Sequence, residues 1–174
     1  MASPLNSTGH VASLHLHPEK SGGAMIRVAS IDVEVDKGIC GNGRYFGRRS
    51  RTGQPGNRQV TLIEREQVRE HEIALHTLIE PGIVRSNIET TDIDLTALIG
   101  QRVRVGTAIF EFYEARTPCS KMDAICDGLR ARMENQRQGV LARVIQSGRI
   151  CTGDSIMPDR ANGGNPLVGA ASIP

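Results

Sequence analysis

Tryptophan is absent from this 174-residue chain, and only three phenylalanines and two tyrosines are present. That scarcity disfavours a platform of stacked aromatic rings for single-stranded nucleic acid. Long apolar runs are missing too: no window approaches the roughly 18 apolar residues of a membrane span. The opening residues, MASPLNSTGH, show neither the basic start nor the apolar run of a secretory signal. The four cysteines, at 40, 119, 126 and 151, form no CxxC pair. Without a visible signal they are expected to be reduced, and the cytoplasm is the expected compartment. Net charge is small, at +2. It argues against a dedicated nucleic-acid protein unless the charge is concentrated in one place.

What is present is a series of short β-type segments. The length fits one domain, expected over residues 8–158, with flexible termini at 1–7 and 159–174. VASLHLHP (11–18) alternates as a strand, and residues 22–35 read as one long or two short strands. QVTLIE (59–64) is a strand, and residues 64–79 are expected to be a helix stopped by Pro81-Gly82. Residues 81–95 read as extended, followed by a short helix, LTALI, capped by Asp94 and ended by Gly100. QRVRVGTAIFEFYEA (101–115) is a hairpin turning near Gly106-Thr107. After Cys119, an apolar stripe of Met122, Cys126, Leu129 and Met133 has helical spacing, and Ser120 with Asp123 resembles a capping box. Residues 139–158 read as a second hairpin turning at Ser147-Gly148, then a tight Gly153-Asp154 turn. The pattern predicts a mainly β fold, an antiparallel β-barrel with two or three inserted helices.

Cys119 draws attention because it follows a proline where strand gives way to helix. A thiol at a helix N-terminus beside a cation such as Arg116 is favoured as thiolate. Against this stands simple packing, since free cysteine is often buried. Cys126 and Cys151 read as core residues, and Cys40 as a loop residue open to solvent. His15 and His17 share one strand face, but no third ligand follows at a recognisable interval. Between residues 36 and 59 lies a glycine-rich loop crowded with Arg44, Arg48, Arg49, Arg51 and Arg58. Glycine lets backbone approach a ligand, and arginine grips phosphate or carboxylate bidentately. The segment matches no phosphate-loop or dinucleotide fingerprint. It is either an anion clamp or a solvated loop. Arg85 and Asn87 would project from one strand face.

In order and spacing, RQVTLIE, PGIVRSNIETTDIDLTALIGQRVRVGTAIFEFYEARTPCSKM and GVLARVIQSGRICTGDSI resemble the MOSC domain, the module related to the C-terminal part of molybdenum cofactor sulfurase. The resemblance spans residues 8–158 and points to a stand-alone bacterial-type member. It implies the family's β-barrel, like the barrel domain of pyruvate kinase, and the molybdenum cofactor, a pterin dithiolene carrying a phosphate. It also implies Cys119 as catalytic residue, either ligating molybdenum or carrying a persulfide. Arg58, Arg85, Asn87 and Arg116, with Arg48 and Arg49, are implied as cofactor-binding residues. A family-level association with pyridoxal phosphate accompanies these. The sequence departs from the family where GQPGNRQ lacks the Asp and His of a G-D-R-H-like segment.

Three functions are compatible with these readings. One is an enzyme that handles sulfur or reduces N-hydroxylated substrates, working with an electron-donor or sulfur-donor protein. Another is a non-catalytic cofactor carrier or docking module. The third is a small phosphate- or RNA-binding barrel using the arginines of 44–58. No membrane partner is expected.

Overall fold

The computed structural model describes residues 8–160. Its strands, in chain order, are β1 (Gly9–Leu16), β2 (Ile26–Val28), β3 (Ser30–Glu34), β4 (Gly38–Ile39), β5 (Val60–Glu64), β6 (Ile88–Thr91), β7 (Arg102–Val105), β8 (Ala108–Ala115), β9 (Val140–Gln146), β10 (Gly148–Cys151) and β11 (Ser155–Pro158). Two helices are inserted, α1 (Arg65–Leu75) and α2 (Leu129–Met133). The expected flexibility of residues 1–7 and 161–174 lies outside the described residues. Asp159 is tied down: its N–H donates to the Arg102 carbonyl, and its carboxylate pairs with Arg104 at 3.1 Å.

Seven strands close on themselves in the order β1, β11, β7, β8, β9, β5, β6, and β6 pairs back onto β1. β2 adds to the outside of β1, and β10, β3 and β4 form a separate small sheet. The fold is therefore the expected mainly β barrel. Its pairs are antiparallel except for β5 with β6. A parallel pair needs a crossover, and α1 with residues 76–87 supplies it.

Side-chain alternation drives closure. Val103 and Val105 point into the barrel while Arg102 is exposed, as a half-buried strand requires. Phe110, Phe112, Val140, Ala142 and Leu62 meet them inside. In β1 a register shift between Val11 and Ser13 breaks the alternation. Val11 and Leu14 both enter the core as a result. A second apolar cluster lies outside β5, where Ile63, Val68, Ile79, Val84, Met122, Leu129 and Met133 pack together.

Several expected elements change form. α1 stops at His76, which adopts a left-handed conformation (φ 50°) and donates to the Glu72 and Ile73 carbonyls. Residues 81–84 form a turn, and the strand begins only at Ile88. The helix expected after Cys119 forms only at its far end: residues 120–125 are turns and α2 begins at Leu129. Gly128, at φ 84°, interrupts it. Asp123, expected in a capping box, instead accepts from the Arg130 N–H at 2.9 Å. The apolar stripe is buried anyway, because Met122, Leu129 and Met133 still share one cluster. The second hairpin does not form, since β9 pairs with β8 and β5 while β10 pairs with β3.

Candidate functional site

Where β1 ends, a hydrogen-bonded knot joins four separate pieces of chain. The His17 N–H donates to Asn42 Oδ1 at 2.8 Å, and the same oxygen accepts from Asn87 Nδ2 at 3.0 Å. Asn87 Nδ2 also donates to the His15 carbonyl at 3.1 Å. Its Oδ1 accepts from the N–H and hydroxyl of Thr61, at 3.2 and 3.0 Å. Every polar position of the Asn87 amide is thus taken by protein. The expectation that Asn87 and Arg85 project from one strand face gives way to a division of labour. Asn87 clamps β1 to β5 through the His15 carbonyl and Thr61, while Arg85 has a left-handed backbone (φ 61°) and partners of its own.

Arg85 donates from Nη1 to the Gly23 carbonyl at 2.8 Å, and its Nη2 lies 3.3 Å from His17 Nδ1. The buried His17 ring stacks obliquely on Tyr45, with centroids 4.5 Å apart. Two guanidiniums face the Tyr45 ring, Arg44 at 5.2 Å and Arg58 at 5.7 Å, and Arg44 Nη2 donates to the phenol oxygen at 3.1 Å. Arg116 is only 7% exposed. Its Nη1 donates to Ser86 Oγ at 2.9 Å and to the Val84 carbonyl at 3.3 Å, and its backbone N–H holds the Gly139 carbonyl.

Electrostatics shows how closely these groups stand. Burial, then the charges of Arg85, Arg58, Arg116 and Arg44, pulls the His17 pKa down to about 3. His17 is therefore a neutral imidazole. Burial and Arg58 draw the Arg116 pKa down to about 9, against the opposing influence of Cys119 and Tyr45. Arg116 is still cationic at neutral pH. Burial resists ionisation of the Tyr45 phenol, but the Arg44 hydrogen bond and the charges of Arg58, Arg44 and Lys121 outweigh it and lower its pKa. Among the described residues, no carboxylate pairs with Arg44, Arg58, Arg85 or Arg116. The sequence shows why: residues 38–63 contain five arginines and no Asp or Glu.

Cys119 is exposed, and it stands near enough to Arg116 for their charges to act on each other. No helix end lies behind it. Its carbonyl accepts from the Met122 N–H in a turn, so the nearby positive charge belongs to arginine side chains and not to a helix dipole. The other cysteines are half-buried. Cys40 Sγ donates to Glu34 Oε1 at 3.5 Å, and burial, followed by that bond, pushes its thiol pKa up. Cys126 donates to Thr77 Oγ1 at 3.3 Å inside the second apolar cluster.

The structure thus brings Cys119, Arg58, Arg85 and Arg116 together. Arg48 and Arg49 line an adjoining cavity of about 520 Å³, which shares Tyr45 and Arg58 with the cluster. Sequence reasoning did not single out Tyr45, Asn42, Ser86 or Lys121, and weighed His17 only as a metal ligand. For Tyr45 a signal existed: a rare aromatic residue placed directly after Arg44 in an arginine-rich loop. Among the described residues, no three His, Cys, Asp or Glu side chains gather as a metal cluster.

A family model for the MOSC domain matches residues 18–157. The chain belongs to the MOSC domain family. The fold agrees: the chain is similar to the YuaD protein of Bacillus subtilis at a TM-score of 0.71 and 17% identity, over 86% of this chain and 94% of that one. YiiM of Geobacillus stearothermophilus gives a TM-score of 0.67 at 18% identity, over 89% and 77% of the two chains. YiiM of Escherichia coli gives 0.61 at 17%, over 88% and 69%. No curated protein matches the chain. In this MOSC domain Cys119, Arg58, Arg85 and Arg116 lie close to one another, near His17 at the end of β1, while Arg48 and Arg49 line the adjoining cavity. No helix among the described residues is long and apolar enough to cross a membrane.

Proposed function

We propose that this MOSC domain binds the molybdenum cofactor and presents Cys119 to it. The observation that carries the reading is an exposed thiol beside arginines that lack carboxylate partners. The residues present suit such a group. Its phosphate asks for cations and N–H donors, which Arg58, Arg85 and Arg116 offer. Its metal accepts a soft thiolate, which Cys119 offers. When bound, the cofactor would supply two-electron chemistry suited to reducing N-hydroxylated compounds.

The chain's own contributions are positional. Arg116 is locked by Ser86, Val84 and Gly139, so it offers charge without rearrangement. His17, held neutral, accepts from Arg85 and fixes the direction of that guanidinium. In a sulfur-handling role, the Cys119 thiolate would attack the outer sulfur of a donor protein's persulfide. The new S–S bond forms on Cys119, the donor's S–S bond breaks, and the donor leaves as a thiolate. The four free thiols suit a reducing compartment such as the cytoplasm.

Mass spectrometry of the protein from a cofactor-competent host tests the reading. A bound pterin, together with an adduct of about 32 Da (one sulfur atom) on Cys119, supports it. Pterin binding with no change in turnover for Cys119→Ser would instead favour a carrier without catalysis.

A further inference from the structure

The cavity beside the cluster has features that the Cys119 chemistry does not use. Its wall is a short tied loop and not a loose one. Arg49 and Pro55 form an antiparallel bridge, the Ser50 N–H donates to the Gln54 carbonyl at 2.8 Å, and the Gly56 N–H donates to the Arg48 carbonyl at 2.7 Å. Arg49 spends its Nη1 on the Gly53 carbonyl at 2.8 Å. A Cβ on Gly56 would stand 2.9 Å from the Arg48 carbonyl, so only glycine lets the two limbs close this tightly. From below, the Tyr113 hydroxyl donates to the Asn57 carbonyl, and the Arg143 guanidinium covers the Tyr113 ring at 4.9 Å. The loop is thereby anchored to the barrel at β8 and β9.

Arg48, Arg51 and Arg58 line this cavity. Among the described residues, none of the three guanidiniums has a side-chain hydrogen bond or an ion pair, though Arg58 lies over Tyr45. The volume of about 520 Å³ lies within the range of roughly 300–1,000 Å³ for small-molecule sites. A phosphate monoester carries only about −1.5 to −2 at neutral pH. Arg85 and Arg116 next door are enough to offset one. Arg48 and Arg51 add two further unpaired cations, and Arg58, shared at the seam between the two concavities, stands close enough to join them around a second, more highly charged anion.

We propose that this cavity is a distinct site for a diphosphate group, contiguous at Tyr45 and Arg58 with the site around Cys119. The group could be inorganic pyrophosphate or the diphosphate of a nucleotide. Arg48 and Arg51 bind one phosphoryl unit and Arg58 the other. The site goes beyond the reading given for Cys119 and does not depend on it.

Isothermal titration of the full chain with sodium pyrophosphate, GDP and orthophosphate, at matched ionic strength, tests the site. Pyrophosphate is expected to bind at least tenfold more tightly than orthophosphate. The Arg48→Ala/Arg51→Ala variant is expected to lose at least tenfold, with its circular dichroism spectrum and Tm unchanged, because neither side chain supports the fold. The Cys119→Ser variant is expected to bind pyrophosphate as the wild type does, which separates this site from the thiol chemistry. GDP binding more tightly than pyrophosphate identifies a nucleotide site, and equal binding identifies recognition of the diphosphate alone. Equal affinity for pyrophosphate and orthophosphate, no measurable binding, or full binding by the double-alanine variant overturns the proposal.

Discussion

Arg85 Nη2 stands 3.3 Å from His17 Nδ1. A guanidinium has donors only, so the imidazole nitrogen must accept and carries no proton there. The pair works only while His17 is neutral, and burial, with the charges of three further arginines, holds it so. A protonated His17 would face four like charges with no carboxylate among them.

Acid sensitivity follows from the sign of that shift. Burial, with Arg27 adding to it, also draws His15 down, to about 4. Both histidines bind protons in the unfolded chain below pH about 6.5, but in the folded chain only well below that. Their contribution to stability is complete above pH 6.5 and declines as pH falls towards 3. At pH 5 the loss amounts to about 1–2 kcal/mol for each. Urea unfolding of wild type and His17→Gln at pH 7 and pH 5 measures it. The glutamine variant is expected to lose less stability between the two pH values, because its amide does not titrate.

Asn87 and Arg85 are expected to separate by experiment. Asn87→Ala removes a fully used buried amide and leaves Thr61, Asn42 and the His15 carbonyl short of partners. A loss of about 2–4 kcal/mol in unfolding free energy is expected. Arg85→Ala, with its half-buried side chain, is expected to change stability by about 1 kcal/mol or less and to weaken anion binding. Thermal unfolding alongside phosphate titration distinguishes the two.

Gly139 controls Arg116 through the backbone. Its φ is 75°, and an added Cβ would lie 1.9 Å from the Leu62 carbonyl. Gly139→Ala therefore forces β5 and β9 apart and displaces the carbonyl that holds the Arg116 N–H. A loss of about 4 kcal/mol or more is expected, or about 8–16 °C in Tm, read by calorimetry. Gly153→Ala, at φ 91° with nothing near its missing Cβ, is expected to cost only about 1–2 kcal/mol.

Local patterns were readable in the sequence and long-range meetings were not. The β7–β8 hairpin declares itself through alternating Arg102, Val103, Arg104 and Val105. Met122, Leu129 and Met133 were correctly marked for burial, but their spacing could not reveal that Gly128 breaks the helix between them. The β9–β10 hairpin was misread because adjacency in sequence suggests pairing. In the fold Ser147 instead holds the Val35 N–H at 3.0 Å and sends β10 to β3. Arg58, Arg85 and Arg116 come from three separate segments, and no spacing rule predicts that they converge. Family resemblance named them, while barrel closure and the Asn87 clamp explain how they meet. Tyr45 and His17 belong to that meeting through ring stacking, which leaves no periodic trace.

The most direct measurement is intact-protein mass spectrometry and pterin fluorescence on wild type and Cys119→Ser, each purified from a host that makes the molybdenum cofactor. The account predicts pterin in the wild type. It also predicts either metal bound through Cys119 or an added sulfur on it, with both of the latter lost in the serine variant. Wild-type protein that carries no pterin, and whose Cys119 shows neither sulfur nor metal, would contradict it.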